Sequence, residues 1–191
     1  MGLFDALTGR HQVKGPAPDR LFAITTAYIA LQAEHQIESA GSAAIVFQAL
    51  ATSEFEATLR EMEEVVKATG GESGTQVSTQ DDSYGYRWMV LKGVAVEDLA
   101  VGINAVSSSI ETAGHGERLL CAVFAFKDAQ GRRVYFIYNY KRGFWYPFVP
   151  QPGGGDERDT ERELRLKAQM GAELPMEPEL ERWFPLWGIP I

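Results

Sequence analysis

Residues 132–148 read RRVYFIYNYKRGFWYPF. Successive side chains of a strand point to opposite faces, so Arg133, Tyr135, Ile137 and Asn139 share one side. Val134, Phe136, Tyr138 and Tyr140 share the other. Apolar bulk on both sides marks a central strand covered twice, because a half-exposed strand carries polar residues on one face. Tyrosine suits such a place, since its ring is buried while its hydroxyl reaches a rim or a partner. A tight turn at 141–143 leads into FWYPFVP, and RLLCAVFAFKD precedes a turn at Asp128–Gly131 whose final glycine suits a bulged hairpin. Three consecutive strands therefore meander. The same rings also fit a nucleic-acid platform on the 132–146 hairpin, with bases stacked on aromatics and phosphates held by cations. Arg132 and Arg133 lie at one end of the strand and Lys141 and Arg142 at the other, roughly 25 Å apart. Dispersed charge argues against that reading, and no nucleic acid is expected as partner.

Outward from the meander, helices alternate with further strands. SEFEATLREMEEVVKATGG spaces Phe55, Leu59, Met62 and Val66 as a helix, with Ser53 and Glu56 placed as a capping box and Gly70 as the stop. Glu54, Glu61, Glu63 and Glu64 line its solvated face rather than a paired-carboxylate site. VEDLAVGINAVSSSIETAG is a second helix, apolar at Leu99, Ile103, Val106 and Ile110. TERELRLKAQMGAEL is a third, with Leu164 and Ala168 on a thin stripe. YRWMVLKG reads as a strand and ESGTQVSTQDDSYG as a polar turn. Near the start, a helical turn at Arg20–Ile24 is followed by TTAYIALQAE, which alternates like a strand, and SAAIVFQAL reads as its antiparallel neighbour across the polar interval HQIESAG. PQPGGGD is a hinge, and the proline-punctuated ending places Trp183, Phe184, Leu186 and Trp187 too close together to be left in water singly.

These elements give an α+β fold: a mostly antiparallel sheet of about six strands, three main helices and an apolar C-terminal latch. Residues 1–19 form an amphipathic segment and linker, 20–151 the core domain, and 152–191 the hinge, helix and Trp-rich latch packed on the same domain. Leu3, Phe4 and Leu7 share one side of the N-terminal helix, which either packs on the body or makes a peripheral membrane contact through residues 1–10.

A chain of 191 residues with formal charge −8 is kept in solution and repels polyanions and anionic lipid at long range. No stretch approaches the ~20 apolar residues that cross a bilayer, and a cytoplasmic location is expected. Cys121, the single cysteine, sits in RLLCAVFAF as a small buried hydrophobe rather than a nucleophile. His11, His35 and His115 each stand alone, and no HExxH, Walker loop, GxSxG or GxGxxG is present. The Ser107–Ser109 run has no base beside it on its helix, and GGGDERD lacks the Lys-Ser/Thr of a phosphate loop. No catalytic residue, metal or cofactor is expected.

MGLFDALTGR, DDSYGYRWMVL, RLLCAVFAF, YNYKRGFWYPFVPQPGG and ERWFPLWGIP, in this order, resemble the PspA-associated family PspAB over nearly the whole chain. The resemblance implies an envelope-stress setting linked to phage shock, a location at the inner face of the cell membrane, and a PspA-type coiled-coil protein as partner. It carries no catalytic residue onto this sequence. The element order is also similar to that of the chaperones that hold secretion effectors, a likeness of architecture alone. The leading expectation is a non-enzymatic adaptor or regulator, with Lys141, Arg142, Trp145, Trp183, Phe184 and Trp187 as candidate partner contacts. The alternative is a small-ligand binder or enzyme with a site between the sheet and the C-terminal tail; the second is the nucleic-acid binder of the 132–146 hairpin.

Overall fold

The computed structural model of the chain describes residues 18–70, 74–153 and 155–191. The N-terminal amphipathic stretch at 1–10 and the linker up to residue 17 lie outside the described residues. The elements run α1 (Pro18–His35), β1 (Glu38–Gln48), α2 (Ser53–Gly70), β2 (Gln76–Asp81), β3 (Tyr86–Lys92), α3 (Val96–Thr112), β4 (Leu119–Lys127), β5 (Arg133–Asn139), β6 (Phe144–Phe148) and α4 (Thr160–Met170). All strand pairings are antiparallel, in one sheet of order β2-β3-β1-β4-β5-β6. The expected α+β class holds, with four α-helices among the described residues where three main helices were expected.

The helices cover one face of the sheet, closing a core around Ile45, Phe47, Leu91, Phe124, Phe136, Tyr138 and Trp145. The opposite face carries Val46, Trp88, Val123, Ile137, Tyr146 and Phe148 beneath the C-terminal segment, whose Trp183 and Ile191 complete a second, smaller core. β5 obeys the two-faced reading: Val134, Phe136, Tyr138 and Tyr140 enter the helical core, while Tyr135 and Ile137 enter the other.

Several local expectations are overturned. The run at 25–34 is not a strand but the body of α1. Leu21, Ile24, Ala27 and Leu31 recur at helical spacing and are buried, whereas Ile29, which a period of two would turn inward, is 66% exposed. The helix stops at Gln36, a non-glycine residue at φ 53°, where Ile37 N–H returns to the Leu31 carbonyl at 2.9 Å. A left-handed stop without glycine leaves little trace in the sequence. The apparent pairing of 25–34 with 42–50 falls with it, since β1 pairs with β3 and β4. β1 also begins within the stretch taken as a polar interval, its register shifting between Ser39 and Ser42, where Gly41 adopts φ 71°.

The polar turn at 72–85 contains β2, an edge strand whose residues earn their extended form by pairing with β3 rather than by burial. On α4 the inward stripe is Glu163, Leu166 and Met170, while Leu164 and Ala168 face water. Finally, the residue that caps α2 is Thr52: its Oγ1 accepts from Phe55 N–H at 3.3 Å, and Glu56, the supposed partner of Ser53, binds Arg87 at 2.6 Å instead. Thr52→Ala is therefore expected to cost about 1 kcal/mol, as lost N-caps do. Ser53→Ala stays within about 0.5 kcal/mol, as surface changes do. Urea unfolding of the two variants checks the assignment.

Candidate functional site

The second face of the sheet is not sealed. Where the β2–β3 turn approaches the C-terminal segment, a chamber of about 510 Å³ remains. Its floor is Val46, Trp88, Leu120 and Cys121 from β1, β3 and β4; Tyr146 of β6 and Asn139 and Lys141 close one side. Asp82, Tyr84 and Tyr86 form the opposite rim, and Phe184–Trp187 form the roof. Tyr84 and Phe184 are 73% and 57% exposed, so rings from two distant parts of the chain stand open at one mouth.

Each wall is fixed by polar contacts of its own. Asp82 is the pivot of the turn: Oδ1 accepts from the N–H groups of Tyr84 at 2.8 Å and Tyr86 at 2.9 Å, and Oδ2 accepts from the Trp88 indole at 2.9 Å. Partial burial works to raise its carboxyl, but the indole and the backbone N–H groups of Tyr86, Tyr84 and Gly85 hold it below the ordinary aspartate range. The roof is tethered at both ends. The Tyr146 hydroxyl donates to the Phe184 carbonyl at 3.1 Å, and the Tyr135 hydroxyl donates to the Ile191 carbonyl at 3.0 Å, where Arg133 also binds. Trp183 stacks on Tyr146 with centroids 6.2 Å apart, and Trp187 meets Phe148 edge-on at 5.1 Å. Burial pushes the Tyr146 hydroxyl well above its ordinary value. In the floor, burial pushes the Cys121 thiol up to about 12. Ellman-type reagents are accordingly expected to leave Cys121 unmodified near pH 8 in the folded protein and to titrate one thiol per chain after denaturation.

Of the six residues expected to contact a partner, Lys141, Phe184 and Trp187 meet at this chamber. The other three are committed to contacts within the chain. Trp145 is fully enclosed, its indole donating to the Arg20 carbonyl at 2.7 Å and its ring against Phe124 and Tyr138, so it has no surface to offer. Trp183 is only 5% exposed and donates to the Glu177 carbonyl at 3.2 Å. Arg142 is held by the buried Glu177, at 2.5 and 3.0 Å, and by Glu179 at 3.0 Å. The four cations of the hairpin remain divided between its ends. Arg132 is paired to Asp128 at 2.8 Å, and Lys141 alone among the four makes no contact with a carboxylate or backbone carbonyl among the described residues.

The rim residues Asp82, Tyr84 and Tyr86 escaped the sequence reading. The one available signal was a pair of tyrosines flanking Gly85 in a turn, where rings have no local partner. A second cleft of similar volume lies where the end of α1 meets the start of α4. Its Arg132 and Arg162 both close on Asp128, at 2.8 and 2.5 Å, and its Arg165 on Glu161 at 2.7 Å. Among the described residues no group of three or more His, Cys, Asp or Glu side chains could hold a metal ion. No helix there is long and apolar enough to cross a membrane.

Two of the stretches that carry the resemblance, YKRGFWYPF and RWFPLWG, thus pack on each other to build the roof and wall of one chamber. The family model described as PspA associated protein B (PspAB) matches residues 1–191. The chain belongs to the PspAB family. No curated protein and no solved structure matches it. For this PspAB chain the chamber offers apolar volume, exposed rings, and one cation with one amide at the mouth.

Proposed function

We propose that this PspAB-family protein is a non-enzymatic adaptor that binds a PspA-type protein in an envelope-stress response, working at the inner face of the cell membrane. The observation that carries the reading is the ring cluster at the chamber mouth, Tyr84, Tyr86 and Phe184, all exposed. Exposed aromatics bordering a pocket concentrate binding energy when a partner fills it. The apolar face of an amphipathic helix is suited to such a groove. The description of the family, PspA associated protein, supports the choice of partner.

The test is co-purification of the folded full chain with a PspA homologue from the same organism, followed by titration. The Tyr84→Ala/Phe184→Ala double variant is expected to weaken binding by at least about tenfold, the loss that truncating one or two anchoring rings produces. Its thermal unfolding should stay close to that of the parent, because both rings stand in water. Binding that survives the double substitution unchanged moves the contact elsewhere, and no binding by folded protein removes the reading.

A further inference from the structure

We propose that the chamber beneath the C-terminal segment is a ligand site for a fatty-acid-class carboxylate, its single chain packed against the sheet and its head held by Lys141 and Asn139. This goes beyond the adaptor reading and stands without it.

The volume, about 510 Å³, lies within the range of small-molecule pockets, about 300–1,000 Å³. Its floor and roof, Val46, Leu120, Cys121, Leu186 and Trp187, give apolar contact along a chain and make few demands on its shape.

Charge selects the head group. Lys141 lines the mouth, is exposed, and enters no ion pair among the described residues. Neighbouring Arg142, by contrast, is spent on Glu177 and Glu179. Asn139 uses its Oδ1 on Lys141 N–H at 3.0 Å, which leaves its amide donors for a ligand. The one carboxylate of the chamber, Asp82, has both oxygens engaged by the Trp88 indole and by the N–H groups of Tyr84 and Tyr86. It is turned to the indole and the turn N–H groups, and among the described residues it forms no ion pair with Lys141. An apolar chamber with an unpaired ammonium and an amide at its edge matches an anion on a hydrocarbon chain. A neutral chain would leave the ammonium unused, and a phospholipid brings two chains to a single chamber.

The probe is dodecanoate below its micellar concentration, titrated into the full chain by calorimetry and by the fluorescence of the chamber tryptophans. Dodecanoate is expected to saturate at one per chain, with dodecanol about tenfold weaker and dodecyltrimethylammonium weaker still. Lys141→Ala should bring dodecanoate down to the level of dodecanol and leave dodecanol unchanged, a pattern that misfolding does not produce. Leu120→Trp, which fills the chamber from a partly exposed position, should abolish binding of both while unfolding cooperatively. Absence of saturable dodecanoate binding overturns the proposal. So does equal affinity for the cationic probe, an unaltered affinity in Lys141→Ala, or binding to phosphatidylglycerol vesicles alone. A negative pull-down with a PspA homologue leaves these results untouched, so the two readings fail separately.

Discussion

Trp145→Ala is expected to lower the unfolding free energy by about 3–5 kcal/mol, the usual cost of deleting a large buried aromatic. Domain stabilities of about 5–15 kcal/mol make that about a fifth of the total or more. Several contacts fail together. The ring is wholly enclosed between Phe124 and Tyr138, with centroids at 5.7 and 5.2 Å, so its removal leaves a cavity under the helices. Its indole N–H ties β6 to the first turn of α1 through the Arg20 carbonyl, 125 residues away in sequence. The backbone bonds with the segment beyond α4, from Trp145 N–H to the Pro175 carbonyl at 2.9 Å and from Glu177 N–H to the Trp145 carbonyl at 2.7 Å, remain in the alanine variant. Equilibrium denaturation should show a lower midpoint at unchanged slope. Phe184→Ala, at an exposed ring, should change stability by less than about 0.5 kcal/mol. Equal losses at the two positions would mean that Trp145 is not interior scaffolding.

The second large effect is expected at Glu163, which sequence reading passed over as one more charge on a polar helix. Its side chain has no exposure, and Oε1 accepts from Val149 N–H at 2.8 Å. Arg158 Nε donates to its two oxygens at 3.0 and 2.8 Å, and Arg158 Nη1 then reaches the Trp183 carbonyl at 2.7 Å. One carboxyl group thus joins α4, the end of β6 and the C-terminal roof. Glu163→Ala leaves a buried N–H and a half-buried guanidinium without an acceptor, and should cost about 3 kcal/mol or more. The emission of Trp183 should shift to the red as the roof loosens. Glu163→Gln keeps an acceptor for Val149 and should cost about 1 kcal/mol.

The pH dependence separates these variants further. Burial raises the Glu163 carboxyl above its ordinary range, outweighing the opposing pull of Arg158 and Val149 N–H. The folded state therefore holds this proton more tightly than the unfolded chain. Its contribution is fully present below the ordinary glutamate value and is lost as pH rises through the elevated folded value. Over the window that opens above the ordinary glutamate value of about 4, the stability advantage of the parent over Glu163→Gln should shrink as pH rises, as thermal unfolding at several pH values will report. A widening gap over that window would reverse the sign and refute the assignment.

The contrast between Trp145 and Phe184 also shows how far the sequence could be followed. Both are large aromatics near prolines, and composition treats them alike. β5 and α3 were legible because each buries its apolar residues at a single period, on two faces for the strand and on one for the helix. α1 was not, because Ala27, Tyr28, Ile29 and Leu31 satisfy either period until burial shows that Ile29 faces water. β2 was invisible for the opposite reason: QVSTQD buries almost nothing, and its strand form is conferred by β3. α4 was found but turned to the wrong face, since a buried glutamate with a dedicated arginine overrides hydropathy. At the site, Lys141 stood out as a cation among rings and Phe184 and Trp187 as crowded apolar groups near the C-terminus, while Asp82 looked like ordinary turn chemistry.

Taken alone, the sequence determined the α+β class, the β4–β5–β6 meander, the two-sided burial of β5 and the crowding of large apolar groups at the C-terminus. Periodicity records burial one element at a time, so these features survive without coordinates. The tertiary structure decided which polar segment became an edge strand, which rings were enclosed, and that the 82–86 turn faces the 184–187 roof across an open chamber. That last relation joins residues a hundred positions apart through the sheet's register, and a chamber is the space that packing leaves unfilled, for which a linear chain carries no symbol.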